Sequence, residues 1–120
     1  MALAALGAVA VLDVGSSTAE AAPSVSPFAG EYAWNFFGSM PTISDGGRIS
    51  NLASYPDISG RVSADGSYSF TVIRISEYSE GGVKYRVRYS DKFAGNMALD
   101  ADGNIVCTED TGGSLVWLRQ

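Results

Sequence analysis

An all-β fold built as an antiparallel meander is what this sequence predicts, and three observations predict it. Apolar residues alternate with polar ones from Phe28 onward, which is the period of a strand with one dry and one wet face. Asp-Gly and Gly-Gly turn signals recur at short, similar intervals, as hairpins require. Fourteen glycines stand against a charged fraction of only 18%, a balance that suits many tight turns.

The chain opens on a different texture. Residues 1–21 read as a secretory signal segment: Ala2 to Val14 are nearly all Ala, Leu, Val and Gly, and a polar stretch leads to Ala19-Glu20-Ala21. Small residues there predict cleavage before Ala22, which takes the formal charge from −5 to −3 through loss of Asp13 and Glu20. The apolar run is short of the ~20 residues that cross a bilayer, so no stable membrane span is expected after removal of the signal. Residues 22–27 are expected to be a linker, and residues 28–120 the folded domain. An exported protein follows: extracellular, periplasmic or at the cell surface.

Within the domain, Phe28, Tyr32, Trp34 and Phe36 share one face of the first strand. Three segments then repeat one spacing, Ile43-Gly47-Ile49, Val62-Gly66-Tyr68 and Leu99-Gly103-Ile105, and each reads as a hairpin. Tyr68, Phe70 and Val72 line one face of a middle strand. Val83, Tyr85, Val87 and Tyr89 form a further apolar face, with Lys84, Arg86 and Arg88 behind it. If these two faces share a dry wall, the strands around Glu80-Gly81 pair Phe70 with Tyr89, Val72 with Val87 and Arg74 with Tyr85. Glu80-Gly81-Gly82 and Thr111-Gly112-Gly113 complete the turns, giving about eight or nine short strands. Closing them into a small barrel, fully or nearly, removes the sheet edges; a two-layer sandwich is the alternative.

Composition excludes several functions. The formal charge of −5, with the first basic residue at Arg48, argues against nucleic acid as a partner. No histidine and a single cysteine remove the common metal sites and the Cys/His and Ser-His-Asp nucleophiles. Cys107 is expected to be a buried apolar residue, the alternative being a bridge to another chain. Asp100, Asp102 and Asn104 offer alternate oxygens, but an EF-hand loop wants Gly and Glu where Ile105 and Thr111 stand, so a turn explains them better. Glu77, Glu80, Glu109 and Asp110 all lie in or beside turns, with nothing to bring two of them together as a glycosidase pair. Lys84, Arg86 and Arg88, with Arg74 nearby, read as an anion patch or as a solvated outer face. No catalytic residue, metal ligand or cofactor is expected.

Aromatic side chains remain. Tyr32, Trp34, Phe36, Phe70, Tyr85, Tyr89 and Trp117, with Met97 and Leu99, either fill a small barrel or leave room at one mouth. In the second case Trp34, Phe36, Phe70, Tyr85, Tyr89 and Trp117 are the ligand-binding candidates.

One local motif adds to this. Phe28-Ala29-Gly30-Glu31-Tyr32-Ala33-Trp34 resembles the opening strand of lipocalin and avidin-type (calycin-type) barrels, where a Gly precedes by two residues an aromatic that plugs the barrel floor. The resemblance implies that a basic residue of the last strand crosses that aromatic, and Arg119 stands where it would be. Gly30, Tyr32 and Arg119 are thus the expected closure. Gly112-Gly113-Ser114-Leu115-Val116-Trp117-Leu118-Arg119, with the Asp-Gly hairpins, also looks like small secreted β domains of bacteria whose function is generally unassigned. The resemblance implies a secreted, non-catalytic binding module for a small hydrophobic molecule or a glycan. The alternative is a structural or surface-assembly protein that associates with itself.

Overall fold

A computed structural model describes residues 25–120, so the expected signal segment and the start of the linker lie outside the described residues. Eight strands follow one another: β1 (Gly30–Ala33), β2 (Pro41–Ile43), β3 (Arg48–Asn51), β4 (Asp57–Val62), β5 (Ser67–Glu80), β6 (Val83–Leu99), β7 (Ile105–Glu109) and β8 (Ser114–Arg119). Each pairs antiparallel with the next, and β8 returns to β1, closing a barrel. The meander and the closure agree with the sequence; the sandwich does not form.

The three glycine-spaced segments are hairpins, with Ile43 opposite Ile49, Val62 opposite Tyr68 and Leu99 opposite Ile105. In each, the glycine N–H bonds back three residues, Gly47 to Ser44 and Gly66 to Ser63 at 2.9 Å and Gly103 to Asp100 at 3.1 Å. Gly112 repeats the bond to Glu109 at 2.9 Å, a fourth turn of the same build. Gly66 shows why the residue must be glycine. Its φ is +97°, its carbonyl accepts the Met97 N–H, and a Cβ there would lie 2.3 Å from the Met97 oxygen.

Two features depart from the expectation. First, β5 and β6 are not short but run to 14 and 17 residues. The β4 ladder reaches only Ile73 on β5, and the β7 ladder reaches only Gly95 on β6. From Arg74 to Tyr89 the two strands therefore leave the barrel together as a two-stranded arm. Seven residue pairs at ~3.4 Å each make it about 24 Å long.

Second, the β5–β6 register is four residues from the expected one. Phe70 faces Phe93, Val72 faces Asp91 and Arg74 faces Tyr89. The cause is the loop: Gly81 and Gly82 have φ of +58° and +78°, so both central positions of a two-residue turn are left-handed and Glu80 faces Val83. An even shift preserves which side chains share a face, so the amphipathic pattern alone did not separate the two registers. Its consequence is that Val83, Tyr85 and Tyr89 stand 52%, 42% and 42% exposed on the arm instead of forming a buried wall.

The core lies inside the barrel. Tyr32, Trp34, Ile43, Ile49, Ile58, Tyr68, Phe70, Val72, Met97, Ile105, Cys107 and Trp117 are all buried there. Leu99, grouped with the interior aromatics by sequence, is exposed at the start of a turn.

Candidate functional site

A polar latch joins the first and last strands at the barrel floor. Tyr32 and Arg119 are direct partners across the β1–β8 pair. The Arg119 guanidinium lies 5.0 Å from the Tyr32 ring centroid, and its Nη2 donates to the phenol oxygen at 2.8 Å. Arg119 Nε donates to the Gly103 carbonyl at 2.8 Å, tying the β6–β7 turn to the last strand. The Tyr32 hydroxyl in turn donates to the Phe28 carbonyl at 2.6 Å. Burial raises the Tyr32 pKa and Arg119 partly opposes this, so the phenol stays a neutral donor. Gly30, at φ +150°, leaves room for the guanidinium, since a Cβ there would meet Arg119 Nη1 at 2.6 Å.

Above the latch the aromatic candidates divide. Trp34, Phe36, Phe70 and Trp117 come together, and they fill the interior by packing on one another. Trp34 stacks on Phe36 at 4.6 Å and meets Trp117 at 5.7 Å, while Phe70 meets Trp117 at 5.4 Å. Phe93, opposite Phe70 where the expected register had Tyr89, stacks on Phe70 at 4.9 Å and meets Trp34 edge-on at 5.5 Å. These separations are those of aromatic pairs in direct contact. Tyr85 and Tyr89 are not part of this group; they lie on the arm.

A few polar groups share the interior. The Tyr68 hydroxyl, the Trp117 indole N–H and Glu109 Oε2 are buried without a hydrogen-bond partner among the described residues. Burial first, and then Cys107, Glu109 and Asp110, push the Tyr68 phenol far above its ordinary range. Cys107 is a free, buried thiol whose pKa is pushed up to about 12, by burial first and by Glu109 second. A thiol so placed does not form a thiolate near neutrality and does not reach another chain.

The arm is anchored and amphipathic. On one face Arg74 donates to Asp91 at 3.0 Å, and its guanidinium lies 4.6 Å from the Phe37 ring and 4.8 Å from that of Tyr89. Phe37 sits in the β1–β2 loop with φ +56°, a conformation that non-glycine residues seldom adopt, and its side chain is 53% exposed. The Tyr55 hydroxyl, from the β3–β4 loop, both accepts from the Ile75 N–H and donates to its carbonyl at 3.2 Å. Further out, Tyr78 and Tyr85 stack at 5.1 Å. The opposite face carries Lys84, Arg86 and Arg88, with Arg86 paired to Glu77 at 3.3 Å. Arg74 is therefore not part of that basic group, because it points to the aromatic side.

The acidic candidates stay apart: Glu77 and Glu80 are on the arm, Glu109 and Asp110 at the β7–β8 turn. The Asp100 carboxylate accepts the N–H groups of Asp102 and Asn104 at 2.9 Å, which is the work of a turn residue. Desolvation, the largest single influence, raises its pKa, but the donors of Asn104, Asp102 and Gly103 together outweigh it and hold the carboxyl below its ordinary value.

Sequence reasoning missed Phe37, Phe93, Asp91 and the arm as an element. Gly81-Gly82 was the available signal, because two glycines that both take positive φ suit a two-residue loop, whereas Gly46-Gly47 and Gly112-Gly113 sit in longer turns with one positive φ each.

Fold and surface together define a small eight-stranded antiparallel barrel, compatible with calycin-type architecture, with its interior filled and one hairpin extended beyond the wall. No protein-family model matches the chain, and neither a curated protein nor a solved structure matches it.

Proposed function

We propose that this protein is a secreted, non-catalytic binding module that engages another protein surface through the β5–β6 arm, the barrel serving as its rigid support. The observation that carries this reading is the contrast between the two aromatic groups. Trp34, Phe36, Phe70 and Trp117 are consumed in packing on one another, whereas Tyr78, Tyr85 and Tyr89 stand 48%, 42% and 42% exposed on the arm. Tyrosine and arginine exposed on a braced element are the residue types that dominate binding energy at protein interfaces. Phe37 adds to this, since its 53% exposed ring extends the aromatic face beside Arg74.

The expected small hydrophobic ligand finds less support, because the rings that would line its pocket touch one another. Kinship with lipocalin and avidin-type barrels is supported by the Gly30, Tyr32 and Arg119 latch. Export is supported by the apolar segment and small residues that precede Ala22.

Both tryptophans lie in the barrel, so their emission reports any guest there. Titration with a fatty acid or another apolar probe is expected to leave tryptophan emission unchanged. Saturable quenching or a shift of the emission maximum would show a molecule entering the interior and would overturn this reading in favour of ligand carriage.

A further inference from the structure

We infer that the arm's partner is a second copy of this chain, docked reciprocally, the β6 edge of each arm tip adding antiparallel to an open β8 edge on the other barrel. This rests on the arm being the contact surface and names what it contacts.

Two unpaired edges motivate it. β1 ends at Ala33 and pairs with β8 only at Tyr32–Arg119 and Ala33–Leu118. The Gln120 N–H donates to the Glu31 carbonyl, so even-numbered residues of β8 direct their backbone groups toward β1. At Ser114 and Val116 no strand receives them, and among the described residues no partner replaces it. A cleft of about 510 Å³ opens there, lined by Trp34, Asn35, Leu115, Val116 and Leu118 among others. On the arm, Glu80 faces Val83 across the two-residue loop, so odd-numbered residues of β6 bond across to β5. Lys84, Arg86 and Arg88 then turn their N–H and C=O groups outward, where nothing among the described residues meets them. Ile75 shows that such a position seeks a partner, since the Tyr55 hydroxyl satisfies both of its groups.

Charge selects which edges meet. From Arg74 to Lys92 there are five basic and three acidic residues, whereas the rest of the described chain has three basic and eight acidic. Pairing two β6 edges with each other would set Lys84, Arg86 and Arg88 beside their own copies, which repel. The open part of the β8 edge, Ser114 to Val116, carries no charge of its own and belongs to the acidic remainder of the chain instead. The arm strand also has the right pattern, with Val83, Tyr85 and Val87 able to cover Leu115 while the basic residues face outward. One added strand of this length is small against the roughly 1,200–2,000 Å² of a specific interface. Reciprocal exchange doubles it and closes on a two-fold axis, so association stops at the dimer.

Sedimentation equilibrium of the full chain tests this. A dimer is expected, and Val116→Pro, which removes an outward N–H of the β8 edge without breaking a bond to β7, should raise its dissociation constant at least tenfold. Arg86→Pro removes an outward N–H without breaking a bond inside the arm, so it should yield folded monomer. A monomer at every concentration, or a dimer that the edge prolines leave intact, would overturn the second copy as partner. If such a monomer bound an immobilised glycan or another protein only while it kept its arm, the arm would stand as the contact surface with a different occupant.

Discussion

Replacing Arg119 with Met probes the closure of the barrel with little change in side-chain length. The substitution removes the 2.8 Å bonds to the Tyr32 hydroxyl and the Gly103 carbonyl and the cation–π contact at 5.0 Å, while keeping an aliphatic stem over Tyr32. A hydrogen bond contributes about 0.5–1.5 kcal/mol net, and Arg119 is solvent-accessible, so about 0.75 kcal/mol applies to each of the two, about 1.5 kcal/mol together. Adding about 0.5 kcal/mol for the cation–π contact gives a loss of about 2 kcal/mol. For a domain of this size that is a fall in Tm of about 8–16 °C. Tyr32→Phe removes the same bond from the other side, along with the one to the Phe28 carbonyl, so the two substitutions should not add. The double variant is expected to be more stable than the sum of the singles by about 1 kcal/mol. Urea unfolding followed by the fluorescence of Trp117, whose ring lies 6.2 Å from that of Tyr32, reads all four states. Additivity within about 0.3 kcal/mol would refute the latch as a coupled unit. Arg119→Lys should recover little, because one ammonium does not reproduce both forked donors.

Other consequences follow from the turns and the buried polar groups. Gly66→Ala meets the Met97 carbonyl and a φ of +97°, whereas Gly81→Ala at φ +58° meets nothing within 4 Å. Thermal melts should show the first costing about 3 kcal/mol and the second about 1. Tyr68→Phe removes a buried hydroxyl with no partner, and denaturant unfolding should show it neutral or stabilising by up to about 1 kcal/mol. Cys107 should not react with a thiol reagent until the barrel unfolds. Its thiol has an ordinary pKa of 9.0 and one of about 12 in the fold, so its contribution is fully present below pH 9. Above that the unfolded thiol ionises first and stability should fall, approaching about 1.4 kcal/mol per pH unit from this group, and above pH 10 the raised Tyr68 and Tyr32 add to the fall. Between pH 9 and 10, Cys107→Ala should flatten that decline in denaturant titrations.

Much of the barrel was legible because its determinants are local. A glycine four residues after an apolar one marks the same turn at Gly47, Gly66 and Gly103, and alternation names the inward residues on either side. The floor was legible through Gly30, Tyr32 and Arg119, because steric room, a ring and a cation leave a recognisable spacing. The arm was not. Tyr85 and Tyr89 carry the same alternation as a buried strand, and what exposes them is the early end of β4 and β7, which lie on other parts of the chain. Alternation reports the amphipathic face of a strand but not whether anything covers it. The partner of Phe70, Phe93 rather than Tyr89, was misread for a related reason: a register shift of four leaves every face intact, and the Gly81-Gly82 turn is what separates the two.

The central claim, that the barrel supports and the arm engages, is tested most directly by trimming the arm. Arg74 faces Tyr89 in the same kind of pair as Glu80 and Val83, so joining them through Asn-Gly restores a two-residue hairpin turn and deletes residues 75–88. The trimmed chain should keep its near-ultraviolet circular dichroism and a cooperative melt within a few degrees of the parent, and it should lose association with its partner. A trimmed chain that associates as tightly as the parent would contradict the account.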